Sequence, residues 1–116
     1  MDLQKYWSDG YLEPDLIAED IGIQGKLLCS FIGLDGDRYK SVEKIRSGNV
    51  QSRLRDMIKI IDYVEPRFYS LLSAYAWFQS TPLPGFSSKT AMQLVQDGRS
   101  VEIMEYLRAV DFGVYV

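Results

Sequence analysis

Histidine is missing from all 116 residues. That removes the commonest general base, the commonest metal ligand, and every serine–histidine or cysteine–histidine nucleophile. Cysteine occurs once, at Cys29, so no internal disulfide and no multi-cysteine metal site is available. No apolar run approaches the ~20 residues of a membrane span. The opening Met1-Asp2-Leu3-Gln4-Lys5-Tyr6-Trp7 has neither the basic region nor the apolar stretch of a secretory leader. These absences predict a soluble, cytoplasmic, non-enzymatic chain without metal or cofactor. Carboxylates and lysines remain as catalytic groups, but nothing concentrates them.

What is present suffices for a core. Hydrophobic residues make up 47% and aromatics 13%, enough for one folded domain at this length. Net charge is −3, unevenly spread. Residues 1–20 hold one lysine against six carboxylates, residues 21–60 eight cations against four carboxylates, and residues 61–116 four against six. The middle third is a basic island in an acidic chain, an asymmetry that raises nucleic acid as a partner.

Residues 1–13 read as a loosely attached arm with Tyr6, Trp7 and Tyr11 as anchors. Pro14 suits the first turn of a helix through Leu16, Ile17 and Ile21. A second helix spans about 26–32 with Leu27, Leu28, Phe31 and Ile32 inward. Asp35 or Asp37 then caps a third, carrying Tyr39, Val42 and Ile45 and stopped by Gly48. The strongest period lies over 51–64, where Leu54, Met57, Ile58, Ile61 and Val64 share a face.

An aromatic-rich helix over 67–79 carries Phe68, Leu71, Leu72, Tyr75 and Phe78. Trp77 lies on it as a core or interface anchor, with the core favoured. Thr81–Phe86 is a loop by its prolines and glycine. Ser87 or Ser88 caps a short helix through Met92, Leu94 and Val95. The last helix, about 99–111, points Val101, Met104, Leu107 and Val110 inward. No segment alternates with period two. The fold class is therefore all-α, a compact bundle of six or seven short helices divided as arm 1–13, helix-turn-helix-like region 14–64 and helical region 65–116.

Residues 25–47 carry the outline of a helix-turn-helix, with Cys29 four before Gly33 and Val42 placed to pack the second helix on the first. Were it to bind DNA, Arg38, Lys40, Ser41 and Lys44 would face the phosphates. Asp35 and Asp37 at its leading end oppose that role unless spent on capping. The same cations otherwise form a solvated surface. Cys29 has apolar neighbours and reads as inert. Lys89 is no phosphate-loop lysine, because Gly85-Phe86-Ser87-Ser88-Lys89-Thr90 lacks the first glycine and a preceding strand.

The C-terminal third carries a more specific pattern: Ala76-Trp77-Phe78, Thr81-Pro82, Gly85, Lys89-Thr90, Leu94-Val95, Asp97-Gly98, Val101, Leu107 and Gly113-Val114-Tyr115-Val116. It resembles the toxin-binding domain of the MbcA/ParS/Xre group of antitoxins, whose upstream helix-turn-helix-like region corresponds to 21–60 here. The resemblance covers residues 16–116. It departs at Leu83, where the family has asparagine, and at Ala91, where the family has proline.

What the resemblance implies is a type II antitoxin whose partner is a RES-domain toxin that destroys NAD. Its implied contacts are Gly85, Lys89, Thr90 and Arg99, with Gly113, Val114, Tyr115 and Val116 blocking the toxin's active-site entrance. It also implies that operator DNA is a second partner and that the chain forms a homodimer; the aromatic surplus over 54–78 is where that pairing is expected. A pocket that receives an anionic dinucleotide is positively charged, and an apolar, aromatic tail ending in a carboxylate fits it. The alternative for Val114, Tyr115 and Val116 is that they close over their own core.

Overall fold

The amphipathic stretch in the middle of the chain becomes the spine of the molecule. In the computed structural model, which describes residues 1–34 and 41–113, one helix runs Gly48–Val64 with Val50, Leu54, Met57, Ile58, Ile61 and Val64 buried along it. Ser47, not a residue near 51, sets its start: the Ser47 hydroxyl accepts the Val50 N–H at 3.4 Å. Gly48 therefore opens this helix instead of ending the previous one.

In chain order the elements are a hairpin of β1 (Trp7–Ser8) and β2 (Tyr11–Leu12), then α1 (Pro14–Ile21), α2 (Gly25–Phe31), α3 (Val42–Ile45), α4 (Gly48–Val64), α5 (Leu71–Ser80), α6 (Ala91–Gln96) and α7 (Ser100–Asp111). Single 3₁₀ turns at Leu3–Tyr6 and Glu65–Arg67 precede β1 and follow α4. The all-α bundle expected from the sequence is the fold. Helix α4 lies at its centre, in contact with α3, α5, α6, α7 and β2. No helix among the described residues is long and apolar enough to cross a membrane.

The N-terminal segment differs from the expected loose arm. Trp7 pairs with Leu12 and Ser8 with Tyr11, around Asp9 and Gly10, both at positive φ (53° and 84°), the geometry of a two-residue hairpin turn. Tyr6 and Leu12 are buried in the core. The hydroxyl of Tyr6 donates to Asp20 on α1. Gln51, on α4, is the one buried polar residue among those described. Its Oε1 accepts the Leu12 N–H at 2.8 Å, and its Nε2 donates to Leu12 O at 3.0 Å and Ile45 O at 2.9 Å. One amide thus fastens the hairpin and the end of α3 to the spine.

Several helix positions also depart from expectation. Leu16, Leu27, Val42 and Val101 are exposed, the last two at 58% and 69%. Each belongs to a short helix that buries a narrow stripe, and Ile17, Leu28, Ile45 and Ile103 fill that stripe instead. Helix α5 starts at Leu71, capped by Ser70, because Pro66 closes a 3₁₀ turn and leaves Phe68 extended. Helix α6 is capped by Thr90, not by Ser87 or Ser88. Thr90 Oγ1 accepts the Gln93 N–H at 3.2 Å while Gln93 Oε1 accepts the Thr90 N–H at 3.0 Å, a reciprocal capping box.

Candidate partner-binding surface

The loop between α5 and α6 is built as a small closed unit. Pro82 bridges to Thr90, and the Leu83 N–H donates to Lys89 O at 2.9 Å, closing its base. The Lys89 N–H donates to Phe86 O at 3.0 Å. Inside that ring the backbone turns through Gly85, Ser87 and Ser88 at φ 82°, 55° and 64°. Two serines held in the left-handed region cost backbone energy that the surrounding closure must offset. Leu83 is the loop's buried anchor. Phe86 meets Tyr106 of α7 edge to face, ring centroids 5.8 Å apart, and the Arg99 guanidinium lies 5.4 Å from the Phe86 ring centre.

Each predicted contact residue of this region has a local task. Lys89 pairs with Asp97 at 2.5 Å. Arg99 pairs with Glu102 at 2.6 Å, and their mutual hydrogen bond raises the arginine's pKa and holds the glutamate's carboxyl below its ordinary value. Thr90 caps α6. Gly85 supplies a positive φ with open space where a Cβ would stand.

Helix α7 ends differently. Asp111 accepts from the Tyr63 hydroxyl and from the Arg67 guanidinium, which ties the last turn to the end of α4 and the 3₁₀ turn after it. The hydrogen bond to Asp111, with some burial, raises the Tyr63 pKa. Beyond the tie, Phe112 is 84% exposed. Gly113 follows at φ 74°, its N–H on Val110 O at 3.0 Å, a left-handed residue that ends a helix and redirects the chain. Val114, Tyr115 and Val116 lie outside the described residues.

Beside this end runs an apolar groove with walls from Val64, Phe68, Trp77, Pro82, Tyr106 and Val110, and Arg67 as the charged side chain in its lining. Phe68 and Trp77 stand 6.3 Å apart, tilted by 44°. Trp77 is half-buried against the core and also faces this groove. The groove is assembled from segments that are far apart in sequence, so no local pattern announced it. Tyr69, next to Phe68, is fully exposed.

The predicted contact residues therefore do not form one cluster. Lys89 and Thr90 stand at the start of α6 and Arg99 at the start of α7, with Gly113 past the finish of α7, a helix of 12 residues that spans about 18 Å. The Pro82–Phe86 stretch lies along α7 between them, Gly85 and Phe86 beside Glu102 and Tyr106, Pro82 beside Val110.

Of the residues assigned to DNA contact, Arg38 and Lys40 lie outside the described residues. Ser41 spends its hydroxyl capping α3, accepting the Lys44 N–H at 3.4 Å, so that helix begins at Val42. Lys44 is exposed. The expected cap at Asp35 or Asp37 and the inward Tyr39 also lie outside the described residues. Within those described, α3 is a single turn, and Val42, expected to pack the second helix on the first, is exposed. Two cations of the basic island serve the fold: Arg46 pairs with Asp9 at 3.4 Å and covers the Tyr11 ring at 4.8 Å, and Arg53 donates to Ile32 O at 3.4 Å. Cys29 is buried, and burial pushes its thiol up to about 11, which keeps it protonated and unreactive. No group of metal-ligating side chains occurs among the described residues.

No family model, no characterised protein and no solved structure matches the chain.

Proposed function

We propose that this protein is the antitoxin of a type II toxin–antitoxin system, neutralising a RES-domain, NAD-degrading toxin by direct binding. The end of α7 forms the contact, and Gly113-Val114-Tyr115-Val116 cover the toxin's active-site entrance. The chain performs no reaction of its own in this role.

The observation that carries the proposal is the way α7 ends. A helix pinned by Asp111 presents an exposed Phe112 and a left-handed Gly113 beside an open aromatic groove. Exposed aromatics next to an apolar concavity mark an interaction surface, since a soluble domain otherwise buries them. Charge supports the same role. A pocket shaped for an anionic dinucleotide is basic, and this chain carries −3 overall, which favours encounter.

Growth rescue on co-expression with a RES-domain toxin tests it, comparing the full chain with a version ending at Gly113. Rescue by the full chain alone is the expected outcome. Equal rescue by the shortened version removes the tail from the mechanism, and rescue by neither removes the antitoxin role. In the last case DNA contact through Lys40 and Lys44 is the next role to test, by salt-dependent binding to the chain's own upstream region.

A further inference from the structure

We propose that Ser87 and Ser88, at the tip of the loop between α5 and α6, are toxin-binding residues whose hydroxyls donate to acceptors on the toxin surface. This rests on the antitoxin reading and adds a second point of contact to the end of α7. The two serines stand side by side at φ 55° and 64°, where a Cβ crowds the backbone. At six other left-handed positions among the described residues the chain places glycine, which closes such a turn without strain. Serine twice in succession therefore destabilises a loop that glycine would build more easily. Strain of this kind persists where the side chain has a use.

That use lies outside the chain. Both serines are exposed, and neither hydroxyl enters a hydrogen bond among the described residues. Thr90 supplies the cap of α6, and main chain of Leu83, Phe86 and Lys89 closes the loop. Asp9, the third non-glycine residue at positive φ among those described, pairs with Arg46. The contacts implied by the resemblance are also spent: Lys89 on Asp97, Thr90 on its cap and Arg99 on Glu102. Ser87 and Ser88 are the polar side chains of this loop that keep their donors for another molecule. Their position agrees. Phe86, next to Ser87, packs on Tyr106, six residues before Phe112 and so about 9 Å from it along α7. The loop tip and the helix end thus lie within the span of one protein–protein interface.

Calorimetric titration of the purified full chain with the RES-domain toxin of the rescue experiment, beside thermal melts of the free chain, is the test. Two double variants separate the hydroxyls from the backbone. Ser87→Ala with Ser88→Ala keeps a Cβ in the same conformation and removes both hydroxyls. Its melting midpoint should stay near the parent's, and its affinity for the toxin should fall about tenfold or more. Ser87→Gly with Ser88→Gly relieves the crowding. It should melt above the parent and bind as weakly as the alanine variant. The proposal is overturned if the parent binds and the alanine variant binds equally well. It is overturned too if the glycine variant melts below the parent, since the serines would then serve the fold. A parent that binds no toxin overturns the antitoxin reading itself, so the two failures are told apart by the parent titration.

Discussion

The two ends of α4 are secured by opposite means. At its start, the buried Gln51 amide makes three hydrogen bonds to main chain of the hairpin and α3, sealed from water. At its finish, exposed or half-exposed side chains do the tying: Tyr63 and Arg67 to Asp111. Buried hydrogen bonds lose a large desolvation penalty when broken, whereas exposed ion pairs contribute little. The first end is thus fixed for stability. The second carries the exposed Phe112 beside the apolar groove.

The largest effect expected from breaking this contrast comes from Gln51→Leu. It strands Leu12 N–H, Leu12 O and Ile45 O without partners in the interior, and should cost about 3 kcal/mol or more in a denaturant melt. A change below about 1 kcal/mol would mean that water reaches the seam. Phe86→Ala removes the edge contact to Tyr106 and the surface under Arg99. A loss of about 1–2 kcal/mol is expected, since the ring is half-buried, and circular dichroism melts will read it.

Alkaline pH probes the sealed side more gently. The Cys29 thiol has its folded pKa raised to about 11, so its contribution to stability is whole below the ordinary thiol value near ~8.5. Above that the unfolded chain ionises first, and stability falls as pH rises towards the folded value. Tyr6, raised by burial and by Asp20, acts in the same sense at higher pH. Melting midpoints should decline over this window, and Cys29→Ala should show a shallower decline. The smallest structural effect belongs to Arg99→Ala, whose midpoint should be indistinguishable from the parent. A clear loss of toxin rescue by that variant would then identify Arg99 as a contact residue rather than a loop support.

The helices were legible because burial on one face leaves a period of 3.6 in the sequence, most clearly from Leu54 to Val64. Capping was less legible: Thr90-x-x-Gln93 carries the capping-box pattern of α6, while Ser87 and Ser88, which resemble caps, stand in the left-handed turn of the loop. Strands of two residues each carry no alternation, so β1 and β2 left only the Asp9-Gly10 turn signal. Gln51 falls in step with Leu54 and Ile58 on the inward face, and a polar residue there was the available sign of a buried clamp. The groove gave no sign. Its walls come from Val64 to Val110, and their convergence depends on how α4, α5 and α7 pack. Leu83 shows how loop chemistry misleads: a leucine between two prolines reads as exposed connection, yet it is the anchor that closes the loop.

The Gln51 clamp also orders events in time. Leu12 and Gln51 are 39 positions apart, so a chain emerging from the ribosome makes its hairpin long before the amide that docks it exists. Until residue 51 is free, Leu12 has no interior to enter. The hairpin is therefore sealed only after α4 has followed it in synthesis, and a nascent chain that ends before α4 should expose Tyr6, Trp7 and Tyr11 to proteases and chaperones.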